Sequence, residues 1–100
     1  KKGIKTMENK VILNLKMDIS NLAGYEFGIE IYDKQVKGRL DLSRDFEIIF
    51  PDHIIGIASS FVQGFFSEIV GQIGLLQTEK HAKVKTANSA LSQSILKKLE

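Results

Sequence analysis

Near its start the chain alternates. Val11, Leu13, Leu15 and Met17 fall on one side, and Ile12, Asn14 and Lys16 on the other. That period of two predicts a strand over Val11–Met17 with one apolar face. After a polar loop from Asp18 to Ala23 the period changes. Tyr25, Ile29, Tyr32 and Val36 are spaced four, three and four apart, with Phe27 and Ile31 widening the stripe. This predicts a helix from Gly24 to about Lys37, ending near Gly38. Arg39–Asp45 is a charged connection, and Phe46–Phe50 is a second strand that Pro51 stops by removing a ladder donor. Asp52–Ile57 reads as a short loop with apolar content, partly extended. Beyond Ser60, Val62, Phe65, Phe66, Ile69, Val70 and Ile73 trace one buried helical face, predicting a helix over Ser60–Ile73. Of the adjacent Phe65 and Phe66, one is expected against the sheet and one at its rim.

The terminal signals agree with this reading. Ser60 followed by Gln63 has the form of a capping box, and Gly74 stands where a C-cap glycine belongs. Leu75–His81 is left as a connection. Ala82–Ala87 alternates again, with Lys83 and Lys85 blunting what reads as an edge strand. Asn88 or Ser89 opens a last helix carrying Leu91, Ile95 and Leu99 on one face. The order β-α-β-α-β-α predicts a small α/β domain, its sheet mixed or largely parallel with helices packed on it. Gly24 and Gly28 lack the spacing of a phosphate loop and read as helix-start and close-packing glycines.

Composition narrows the chemistry. The chain has 100 residues, 43% of them hydrophobic, which is one domain's worth of core. It has no cysteine, so a disulfide framework, a thiolate metal site and a cysteine nucleophile are excluded. Met7-Glu8-Asn9-Lys10 has the look of a natural start, so residues 1–6 are expected to be an upstream remnant and 7–100 the domain. Without the three lysines of that remnant the formal charge of +2 falls to −1. That leaves no electrostatic case for nucleic acid, since Lys83, Lys85, Lys97 and Lys98 form at most a weak basic surface without an aromatic platform. No apolar run approaches a membrane span. Neither His53 nor His81 has a second ligand at metal spacing, and no cofactor is implied. Asp33, Asp41, Asp45 and Asp52 are scattered and read as a solvated surface.

The segment Ile57-Ala58-Ser59-Ser60-Phe61, delivered by a hydrophobic strand and followed by an apolar helix ending at Gly74, resembles the STAS-like domain of unknown function. That family is related to the STAS domains of bacterial anti-sigma-factor antagonists. The similarity runs over about Gly24–Leu99. It implies a cytoplasmic, non-catalytic regulatory module that binds a protein partner, in the first place an ATPase or kinase of the histidine-kinase-like fold. In the antagonists a serine of an Asp-Ser-Ser-Gly motif is phosphorylated. The corresponding position here is Ser60, with Ala58 and Phe61 in place of the aspartate and glycine. Ser60 and Ser59 are thus the candidate phosphoacceptor or partner-contact residues, and Phe61, Gln63, Asp52 and His53 the candidate surface around them. Two other readings stay open: a small inhibitor from a phage or mobile element that binds a host protein, and a minor hydrolase using Ser60 and His53. Homodimerisation through a sheet edge is compatible with any of them.

Overall fold

The computed structural model describes residues 8–100, so the expected remnant at 1–6 lies outside the described residues. Strand β1 (Lys10–Ile12), β3 (Phe46–Ile49) and β5 (Ala82–Lys85) form one sheet in the order β1-β3-β5, every pair parallel. The registers are Lys10 opposite Glu47 and Phe46 opposite Ala82. A second parallel pair joins β2 (Asn21–Leu22) to β4 (Gly56–Ile57). Helices α1 (Tyr25–Gln35), α2 (Ser59–Phe65), α3 (Ser67–His81) and α4 (Ser89–Lys97) complete the chain. The α/β class and the parallel sheet therefore follow the expectation from periodicity.

One core holds the layers together. Val11, Phe46, Ile48 and Ala82 from one sheet face meet Ile31, Tyr32, Phe61, Phe65, Ile69 and Ile95 from the helices. The Phe65 ring lies 5.7 Å from Phe61, 6.0 Å from Phe50 and 5.8 Å from Tyr32. Rings at such separations gain about 0.5–1.5 kcal/mol per pair beyond area burial.

Four local expectations change. The first strand pairs over only three residues, although Leu13 still donates to the Ile49 carbonyl at 2.8 Å and Leu15 is buried. Met17 leaves the apolar face altogether and is 79% exposed. The β1–β3 ladder stops where Pro51 offers no N–H for the next rung. On the outer edge of β1 the Gln35 side-chain amide takes the backbone groups of Asn14, whose N–H donates to Oε1 at 2.7 Å and whose carbonyl accepts from Nε2 at 2.9 Å. The two-residue strands β2, expected as loop, and β4, in a loop expected to be partly extended, are too short for any alternation to show.

The expected single helix over Ser60–Ile73 is broken at Phe66, whose ψ of 1° ends α2 before α3 begins. Adjacent residues on one continuous helix point about 100° apart. The break lets Phe65 and Phe66 both enter the core, with ring centres 5.1 Å apart, so neither lies at the rim. Gly74 has a left-handed φ of 85° and interrupts α3, but the chain resumes helical geometry through Leu75–His81 instead of forming a connection. Thr78, fully buried, donates its hydroxyl to the Gly74 carbonyl at 2.8 Å and so bridges the interruption.

Candidate functional site

The Ser59–Ser60 segment begins where β4 ends. Ala58 N–H donates to the Leu22 carbonyl at 2.8 Å, which fixes the loop on the small sheet. Ala58 is extended and is the N-cap residue, so α2 already includes both serines and no side chain caps it. The expected capping box is absent. Ser60 Oγ instead accepts the Gly24 N–H at 2.9 Å. Gly24 itself precedes α1 with φ of 103°, a left-handed value that glycine adopts without strain. A serine in the first turn of one helix thus satisfies an amide at the head of its neighbour.

That contact is possible because α1 and α2 approach backbone to backbone. A Cβ on Gly28 would collide with the Phe61 carbonyl oxygen and lie 2.6 Å from the Phe65 nitrogen. A Cβ on Gly64 would collide with the Tyr25 carbonyl oxygen. Gly24 and Gly28 on one helix, Ser60 and Gly64 on the other, are each four residues apart and so share a face. The close-packing role expected of Gly28 holds. Its partner Gly64 was not singled out, although the four-residue spacing of small residues from Ser60 was there to be read.

The remaining candidates separate. Ser59 and Ser60 are exposed on α2. Gln63 is exposed too, but its Nε2 donates towards the Lys98 carbonyl at 3.4 Å instead of turning back to the helix start. Lys98 in turn donates to the Ile57 carbonyl at 2.6 Å, tying the end of α4 to β4. Phe61 is completely buried and belongs to the core, which corrects its place on the candidate surface: its ring packs 5.6 Å from Phe27 and 6.4 Å from Phe50. Asp52 is exposed in the turn that the Ile54 N–H closes on the Pro51 carbonyl. His53 Nε2 meets the Lys16 carbonyl at 2.8 Å. A carbonyl only accepts, so that nitrogen carries the proton. Among the described residues no hydrogen bond joins His53 to Ser60, so the geometry of a Ser–His pair is not present in this arrangement.

A second polar cluster sits at the amino ends of β1, β3 and β5. Asn9 donates to the Asp41 and Asp45 carbonyls, each at 2.8 Å, and accepts from Asp41 N–H. Bonds from the Ser43 hydroxyl and amide, then from Arg44, hold the Asp41 carboxyl below its ordinary range. The His81 ring, 2.8 Å from Asp45, does the same for that carboxyl. Among the described residues no group of three potential ligands could hold a metal ion, and no helix is long and apolar enough to cross a membrane.

Compared with protein-family models, with curated proteins and with solved structures, the chain finds no match in any of the three.

Proposed function

We propose that this chain is a non-catalytic regulatory module, STAS-like in kind, that binds a protein partner through the start of α2. The observation that carries the reading is the double position of Ser60: exposed to a partner, yet bonded through Oγ to the amide that opens α1. A phosphoryl group on Ser60 would turn Oγ into an ester oxygen, a poor acceptor, and add about −1.5 to −2 charges. The Gly24 amide would lose its partner, and α1 would feel an event on α2. Simple contact by a partner that claims the Ser60 hydroxyl would work through the same bond. From the resemblance of Ile57–Gly74, the leading partner is a cytoplasmic ATPase or kinase of the histidine-kinase-like fold, which would supply the phosphoryl group from ATP.

Partner capture from native lysate with wild type, Ser60→Ala and Ser60→Asp tests this directly. An ATPase retained by wild type and lost by Ser60→Asp is the expected result. The same partner on all three baits would leave Ser60 as a structural tie between helices. No specific partner on a bait shown to be folded would reject the module.

A further inference from the structure

The helices cover only one face of the parallel sheet. On the other face, successive strand residues form two rows: Lys10, Glu47 and Lys83, then Ile12, Ile49 and Lys85. Ile12 is 65% exposed and Ile49 is half-buried, with no layer above it among the described residues. A shallow depression of about 520 Å³ lies at the amino end of this face, its charged border made of Lys10, Arg44, Lys83 and Lys85 with Glu8, Asp45 and Glu47. All-parallel sheets are found almost only with both faces covered. An antiparallel sheet can leave one face to water; among the described residues this sheet has no second layer of the kind its topology ordinarily carries.

The charges and dimensions of the face point to what fits there. Its two rows hold three lysines and one glutamate. Glu47 pairs with Lys85 at 2.9 Å and Lys10 with Glu8 at 3.5 Å, while Lys83 has no ion-pair partner among the described residues. Arg44, at the rim, pairs with Asp41 at 3.1 Å, and Asp45 beside it is engaged by His81. Exposed pairs of this kind are weak and re-partner readily. Three strands about 4.8 Å apart set the outer strand axes about 10 Å from each other, the diameter of one α-helix.

We infer that this open face is a docking surface for an acidic amphipathic helix of a partner protein. Its apolar stripe would lie along Ile12 and Ile49, and its flanking carboxylates would reach Lys10, Lys83 and Lys85. The surface is separate from the Ser60 edge and does not depend on the function proposed for it.

The test titrates a labelled synthetic amphipathic helix of about four turns, with a leucine stripe flanked by glutamates, into the full chain. A counterpart with lysines for the glutamates serves as control. The expected result is saturable binding of the acidic peptide only, weakened by salt and weakened about tenfold or more by Ile12→Asp or Lys83→Glu. Amide shift changes would map to Ile12, Ile49, Lys83 and Lys85, and Ser60→Ala would bind like wild type. No binding, equal binding of the basic peptide, indifference to both face substitutions, or shifts centred away from this sheet face would each overturn the proposal. So would a dimer of the free chain that Ile12→Asp dissociates, or preference for anionic phosphatidylserine vesicles over the peptide, since either names a different occupant.

Discussion

Ser60 Oγ and the Gly24 amide stand 2.9 Å apart, joining the starts of two helices through residues 36 apart along the chain. The bond links a residue suited to contact with a partner to the head of α1, whose glycine can adopt other backbone conformations at little cost. Ser60→Ala removes the acceptor. We expect a loss of about 1 kcal/mol in urea unfolding, while Ser59→Ala, which breaks no such bond, changes the midpoint little. Amide exchange at Gly24 should quicken in Ser60→Ala and not in Ser59→Ala.

The crossing of α1 over α2 rests on missing side chains. Gly28→Ala and Gly64→Ala each drive a methyl group into backbone of the other helix, where no rotamer change relieves it. Each should cost about 3 kcal/mol or more, seen as a large fall in urea midpoint or as failure to fold. Gly71 is the control within the same series. A Cβ there meets nothing within 4 Å, so Gly71→Ala should stabilise by up to about 1 kcal/mol. Equal effects at Gly64 and Gly71 would mean that the helices do not approach as described.

Gln35 acts as a stop on the β1 edge by occupying both backbone groups of Asn14. Gln35→Glu keeps an acceptor for Asn14 N–H but loses the donor to its carbonyl. Gln35→Ala loses both and uncovers the edge. Stability should fall in the order Gln, Glu, Ala, by about 1 kcal/mol per bond. Light scattering on warming should rise first for Gln35→Ala, because an unpaired edge invites strand addition.

Acid should loosen the amino ends of the sheet. The carboxyls of Asp41 and Asp45 are held below their ordinary range by hydrogen bonds from Ser43 and from His81. A carboxyl with a lowered folded value contributes stability above its unfolded value and loses it as pH falls through the folded one. Glu79 runs the other way: desolvation and then the nearby Glu100 raise it, so its share is lost as pH rises. We expect the thermal midpoint to drop on the acid side, and Asp41→Asn with Asp45→Asn to flatten that drop. An unchanged acid slope in the double variant would show that these bonds do not form in solution.

Periodicity determined the three main strands and their alternation with helices, the α/β class and most of the core, but not the short β2–β4 pair or the division of the second helix. Alternation in Val11–Leu15 and Phe46–Phe50 and helical spacing after Tyr25 and Ser60 are local consequences of burying one face. The cap of α4 was equally legible: Asn88 Oδ1 does accept the Leu91 amide, because capping is a contact between near neighbours in sequence. Only the tertiary structure decided what depends on pieces distant along the chain. Ser60 bears the marks of a cap for its own helix, yet its hydroxyl serves Gly24, since the glycine crossing brings that amide within reach. Phe61 follows two exposed serines, yet packing against Phe27 and Phe50 buries it. The helix after Ser60 breaks at Phe66 because the core, and not helix propensity, sets where two adjacent aromatic rings must go. The open face of the sheet has no local signature either, because exposure of Ile12 depends on which side the helices occupy.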